Sequence, residues 1–207
     1  MDVDLIPKGR RIAERWWGKS WVTNLESYAD YSNRLPRGKS YLRNGAVRSM
    51  DIDKGSIKAS VQGSKAKPYK VSVSIQPLLD GEKMKLTERC GNRIQSLDSL
   101  IDGDIPQDIA DIFVSRNGLF PSPREISFKC TCPDYAYMCK HVAATLYGVG
   151  VLFDREPLLF FRLRGIDVDT LVKKSVESRF ESMMRNADNR TSRMLDDDDI
   201  DIFGVLD

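Results

Sequence analysis

Four side chains within twelve positions constrain this chain more than anything else in it. Cys130, Cys132, Cys139 and His141 lie in "KCTCPDYAYMCKH", residues 129–141, which holds three of the four cysteines and the sole histidine of 207 residues. On an extended strand, side chains two positions apart project from the same face, so Cys130 and Cys132 point to one place. On a regular helix the same separation puts side chains nearly opposite one another. Cys139 is therefore predicted in a loop or cap, with a helix beginning at about His141. Between the pairs, Pro133 and Asp134 supply the turn that lets the strand end and the helix start converge.

Three thiolates and one imidazole make a closed tetrahedral set of borderline-soft character, which suits one Zn2+. Iron–sulfur clusters usually take four cysteines, or two cysteines and two histidines, and fit less well. With every position filled there is no place for a reactive water, so the predicted zinc is structural. The single excess negative charge of such a site would be offset by Lys129, Lys140 and the positive end of the following helix. The competing reading, three core cysteines and a core histidine, does not account for the C-x-C and C-x-H pairing.

The rest of the composition fixes the class. Hydrophobic residues make up 41% of the chain, enough for a core, and no apolar run approaches the roughly 18 residues of a membrane span. The opening "MDVDLIPKGRRIAERWW" lacks the apolar core of a signal peptide, so the expected location is cytoplasmic, where thiols stay reduced.

The formal net charge of +2 conceals an asymmetry: residues 1–95 carry 19 Lys and Arg against 10 Asp and Glu, whereas 166–207 carry 6 against 11. The densest stretch, 34–70, has ten basic residues and only two acidic ones. Such a local field attracts polyanions whatever the overall charge.

Periodicity predicts an α+β fold, with an antiparallel β-meander in the N-terminal half and helices around a small structural zinc finger in the C-terminal half. Trp17, Trp21, Leu25 and Tyr28 recur at helical spacing and predict a helix burying an aromatic stripe. "NRLPRGKSYLRNG", with Pro36, Gly38 and Gly45, reads as a basic loop. Met50 and Ile52, then Ile57, Ala59 and Val61, then Val71, Val73 and Ile75 alternate with polar residues. "DKG" at 53–55 forms the hairpin turn.

After Pro77 helices are expected. The first places Met84, Cys90, Ile94, Leu97 and Ile101 near one face, and the next opens at Pro106. "REISFKC" reads as a strand into the cysteine cluster, and "VAATLYGVGVLF" as a helix apolar nearly all round and therefore buried. "DVDTLVKKSVESRFESMMRNA" predicts a helix with Val168, Leu171, Val172, Val176, Phe180 and Met183 on a stripe, capped by Asp167 or Asp169. The expected divisions are 1–80 (aromatic helix and basic meander), 81–187 (helices with the finger at 125–153, packed with the first as one unit) and 188–207, an acidic flexible tail.

The C130-x-C132-x6-C139-x-H141 pattern resembles the SWIM zinc finger. "WWGKSWVTNLE", "RLPRGKSYLRNGAV", "VQGSKAKPYKVSVSI" and "DIFGVLD" are similar to segments of prokaryotic stand-alone SWIM zinc finger proteins, so the resemblance covers most of the chain. It implies a zinc-binding factor associated with DNA or with protein partners, often connected with Swi/Snf-type helicases.

Catalysis is not expected. Gly18-Lys19-Ser20 and Gly38-Lys39-Ser40 superficially suggest a phosphate loop, but Ala13 and Asn33 stand where the leading glycine belongs. The one histidine is committed to metal, and no carboxylate cluster or nucleophile elbow is present. Two functions remain. In the first, Arg34, Arg37, Lys39, Arg43, Lys65, Lys67 and Lys140 neutralise phosphates of DNA, single strands included, or of RNA, while Tyr41 and Tyr69 stack on bases. An ordinary solvated surface is the plainer account of the same charges. In the second, the chain is an adaptor that docks on a helicase or other partner. Its tail, four aspartates followed by Ile200, Ile202, Phe203, Val205 and Leu206, has the pattern of a segment that orders on binding.

Overall fold

The structure, a computed structural model, describes residues 5–27, 33–91, 110–115, 118–134 and 136–188. Tyr28, Ile94, Leu97, Ile101, Pro106, the side chains of Cys90, Leu171 and Val172 and the acidic tail, all of which carried sequence expectations, lie outside the described residues.

Three consecutive strands, β1 (Val47–Asp53), β2 (Ser56–Val61) and β3 (Tyr69–Ile75), pair antiparallel as the alternation predicts. Asp53 pairs with Ser56 across a two-residue turn in which Gly55 takes φ +63°, a left-handed conformation open to glycine. The fourth strand, β4 (Ile126–Cys130), comes from much later in the chain and completes the order β1-β2-β3-β4 by pairing antiparallel with β3. The sheet thus joins the first third of the sequence to the cysteine cluster. Its inner face buries Met50, Ile52, Ile57, Val61, Val71, Val73 and Ile75, and its outer face exposes Arg48, Lys58 and Lys70.

Helix α5 (Lys140–Arg155) lies across that inner face with every residue from His141 to Phe153 buried. Among the preceding helices, α1 (Trp16–Glu26) and α2 (Leu35–Arg43) pack on it, while α3 (Asp80–Gly91) and α4 (Ala110–Val114) contact each other. α6 (Leu159–Leu163) and α7 (Val168–Asp188) follow.

The α2 segment corrects the expected basic loop. Pro36 sits in the first turn, where its missing N–H costs nothing, and Gly38 is a contact point. A Cβ at Gly38 would stand 2.4 Å from Cβ of Ala143, so the glycine brings two helices together where the sequence suggested a break.

Orientation decides two further cases. Met84 is exposed because Leu86, two positions on and therefore on the opposite side of α3, is the residue that goes inward. On α7 the stripe starts with Val168 half-buried against the core, but its later part is open: Phe180 is 63% and Met183 64% exposed, and Val176 is exposed too. The helix and its start are as predicted, Asp167 accepting from the Asp169 N–H (3.2 Å) and the Thr170 hydroxyl (2.8 Å).

Candidate metal centre

β4 ends at Cys130, paired with Val71, and its ladder is continued by the Thr131 N–H donating to the carbonyl of Lys70 (3.0 Å). Cys132 follows, half-buried. Cys139 is the N-cap of α5 with extended backbone (φ −84°, ψ 168°), and the helix begins at Lys140, so the cap geometry deduced from the C-x-H spacing is the one observed. The intervening turn is pinned: the Tyr137 hydroxyl donates to the carbonyl of Ile126 (3.1 Å), and Arg34 reaches from the start of α2 to Asp134 (3.2 Å).

The four ligand atoms converge. All lie within 4.8 Å of one another, and His141 Nδ1 is 3.7 Å from the Cys139 sulfur and 3.9 Å from that of Cys130. Around a tetrahedral zinc, a sulfur and an imidazole nitrogen would stand about 3.6 Å apart, so the donor set fits with little adjustment. Each sulfur also accepts a backbone N–H, Cys130 from residue 132, Cys132 from residue 134 and Cys139 from residue 142. Such outer bonds hold thiolates in place around a metal.

The charge state of the trio points the same way. Hydrogen bonding with Cys130 lowers the Cys139 thiol against the opposing effect of burial. That same bond, with burial, raises Cys130, while burial raises Cys132. Three thiolates this close repel one another, and a Zn2+ held by the cluster would supply one charge that satisfies all three.

Residues 129–148 match the family profile described as the SWIM zinc finger. The segment is a SWIM zinc finger. The chain is also similar to a curated protein of Mycobacterium tuberculosis (strain ATCC 25618 / H37Rv), printed as "Uncharacterized protein Rv2102". The two are 35% identical over 180 residues, which is 86% of this chain and 65% of that relative's length. No solved structure matches the chain.

The SWIM finger is closed: Cys130, Cys132, Cys139 and His141 form one Cys3His site for a single structural zinc. Its histidine is 3% exposed and flanked by two rings, Tyr69 at 4.7 Å and Tyr41 at 5.4 Å between centroids. With Nδ1 facing the sulfurs, Nε2 carries the proton, and among the described residues it has no hydrogen-bond partner. It faces Gly63, where a Cβ would come within 3.0 Å of it. Spacing alone gave no sign of this packing, since Gly63 lies 78 positions before His141.

The predicted nucleic-acid contacts separate. Arg34 is committed to Asp134, and Lys39 pairs with Glu26 (2.6 Å). Arg43 donates to the carbonyl of Arg10. Arg37, Lys65 and Lys67 are exposed, and Lys140 Nζ lies over the Tyr41 ring at 5.0 Å. Tyr69 is buried and Tyr41 is held between His141 and Lys140, so neither is free to stack on a base, because both pack the metal ligand. Among the described residues no helix is long and apolar enough to cross a membrane.

Proposed function

We propose that this chain is a non-catalytic zinc-binding protein that binds nucleic acid, DNA foremost, without sequence specificity and as an accessory to a helicase or DNA-processing complex. The supporting observation is the exposure of Arg37, Lys65 and Lys67 on elements that pack around the SWIM finger, with Lys140 beside the metal ligand. Zinc organises that surface: His141 fixes the start of α5 and the packing of Tyr41 and Tyr69, and hence the positions of α2 and the 62–68 loop. Backbone phosphates are the ligand such point charges suit, since among the described residues there no unencumbered aromatic or polar helix is available to read bases.

The test is fluorescence anisotropy of the zinc-loaded chain with single- and double-stranded DNA and with RNA across a salt series. Affinity should fall linearly in log–log form, by about 0.7 to 0.9 of a unit per phosphate neutralised. Absence of binding, or binding indifferent to salt, overturns the reading.

A second reading has one observation in its favour. The apolar row on α7 (Val176, Phe180, Met183) is exposed and leads directly into the acidic–hydrophobic tail, as an adaptor docking on a Swi/Snf-type helicase or other partner would require. In that case Phe180→Ser removes binding to a purified helicase that persists at high salt, and leaves any nucleic-acid affinity intact.

A further inference from the structure

Both Gly-Lys-Ser triplets, useless as phosphate loops, have a structural explanation that leads to a second basic site. Gly18 on α1 and Gly38 on α2 each touch α5: a Cβ at Gly18 would lie 3.0 Å from the carbonyl oxygen of Gly150, as one at Gly38 would collide with Ala143. Each glycine pins its helix to the same support. The residue one position further is turned about 100° around the helix, onto the flank beside the contact. Lys19 and Lys39 therefore emerge on the flanks of two helices laid side by side, and they line one cleft.

The cleft has a volume of about 380 Å3 and is formed by residues 10–13, α1 and α2. Five of its lining residues are cationic, Arg10, Arg11, Lys19, Lys39 and Arg43, and none is acidic. Arg43 ties the 10–13 segment down by donating to the carbonyl of Arg10, so the two strands of basic residues are held against each other. One carboxylate approaches from the neighbouring depression, where Glu26 pairs with Lys39 and accepts the Tyr147 hydroxyl (2.9 Å). Arg10, Arg11 and Lys19 have no ion-pair partner among the described residues. With Lys39 offset by Glu26, the other four like charges around one concavity repel one another, and a polyanion relieves that repulsion.

We propose that this cleft is the main phosphate-binding site of the chain, taking consecutive phosphates of a nucleic-acid backbone. It deepens the nucleic-acid reading and rests on it, but moves the centre of binding from the finger's rim to the groove between α1 and α2. Apart from its cations the lining is Ile12, Ala13, Val22 and Thr23, with no aromatic ring on which a base could stack. Backbone phosphate is what remains, which makes the binding independent of sequence.

The test uses the zinc-loaded full chain and a duplex oligonucleotide. Arg10→Gln, Arg11→Gln and Lys19→Gln combined should weaken binding at least tenfold at low salt, and make the log–log salt slope shallower by about two to three units. Arg48→Gln with Lys58→Gln, on the outer face of the sheet, serves as the comparison and should cost far less. If the cleft variant binds like the unaltered chain, the cleft is overturned while the nucleic-acid reading stands. If the unaltered chain binds neither DNA nor RNA, both fall. A second measurement avoids reliance on a variant that folds: acetylation of lysines read by mass spectrometry with and without the oligonucleotide. Lys19 and Lys39 should be protected, and equal modification of Lys19 in both samples overturns the proposal.

Discussion

The two ends of α5 are anchored by different chemistry. At its N-terminus, Cys139 and His141 belong to the zinc site, and the helix start is only as firm as the ion that draws four ligands together. At its C-terminus no metal is involved. The indole N–H of Trp17 donates to the carbonyl of Phe153 (2.9 Å), and further back, near the middle of the helix, that of Trp21 donates to the carbonyl of Leu146 (2.9 Å). The first of these fills a real vacancy, because the residue four positions after Phe153 is Pro157, which has no N–H to complete the helix. Asp154 in turn accepts from the backbone N–H groups of Glu14 and Arg15, tying the segment that leads into α1 to α5. One end depends on metal supply and the other on the sequence alone, although both position the same buried helix.

The strongest way to break that contrast is to remove the metal. Chelation, or Cys139→Ser, should lower unfolding free energy by about 5 kcal/mol or more, given that structural zinc sites in small peptides are worth on the order of 10. Hydrogen exchange should then accelerate in β4 and the first turns of α5 while amides around Phe153 keep their protection. If the whole of α5 and the tryptophan environments collapse together, the ends are one cooperative unit and the contrast is void.

Next in size is a pair outside α5. Arg164 is fully buried, with Nη1 on the carbonyl of Gln76 (2.8 Å) and Nη2 on Glu125 (2.6 Å). Glu125→Ala should cost about 3 kcal/mol by leaving a buried charge unpaired. Burial alone would raise the Glu125 carboxyl, but bonds from Ser122 and Arg164 outweigh it and lower the value. Its contribution is therefore complete above the ordinary carboxyl range and is lost as pH falls through the lowered folded value. Denaturant midpoints of the chain and of Glu125→Gln should converge in acid and diverge toward neutrality.

The sequence made the zinc end of α5 legible and hid the other. Ligand spacing has a short grammar: the C-x-H cap was found where the letters put it, and the C-x-C pair begins at the end of β4, with Cys132 just beyond the strand. The meander was readable for the same reason, since alternation with period two is local. The anchors Trp17, Trp21 and Asp154 act over more than a hundred positions, and nothing local distinguishes an indole that caps a distant carbonyl from one that merely fills a core. Gly38 was misread for a related reason: a glycine that admits a neighbouring helix and one that ends its own look alike until the neighbour is known. The α7 stripe shows the converse, apolar periodicity specifying a face without specifying that anything covers it. In the candidate nucleic-acid surface, charge density was readable, but the commitments of Arg34, Lys39 and Arg43 depend on partners brought by folding.

Trp17→Phe tests the far end directly, keeping an aromatic ring and deleting the donor. The stranded Phe153 carbonyl and the lost ring volume should together cost about 2 kcal/mol, with zinc content unchanged. An equal loss of zinc would mean that the two ends communicate along the helix.

The smallest effect is expected from Asp154→Asn, about 1 kcal/mol or less, because an amide oxygen still accepts the Glu14 and Arg15 N–H groups. Its value lies in the sign of its pH dependence. Burial, the largest influence, raises the Asp154 carboxyl, with the two N–H bonds only partly opposing it. A group whose acid form is favoured by folding loses stability as pH rises from the ordinary carboxyl range through the raised folded value. The unaltered chain should therefore lead its Asn variant most in acid and give up that lead toward neutrality, opposite to the Glu125 pair. Parallel slopes for the two variants would show that Asp154 is held as a charged acceptor and that the segment leading into α1 is fixed by charge. Opposite slopes would show that the metal-free end of α5 is secured by hydrogen-bond geometry and needs no net charge.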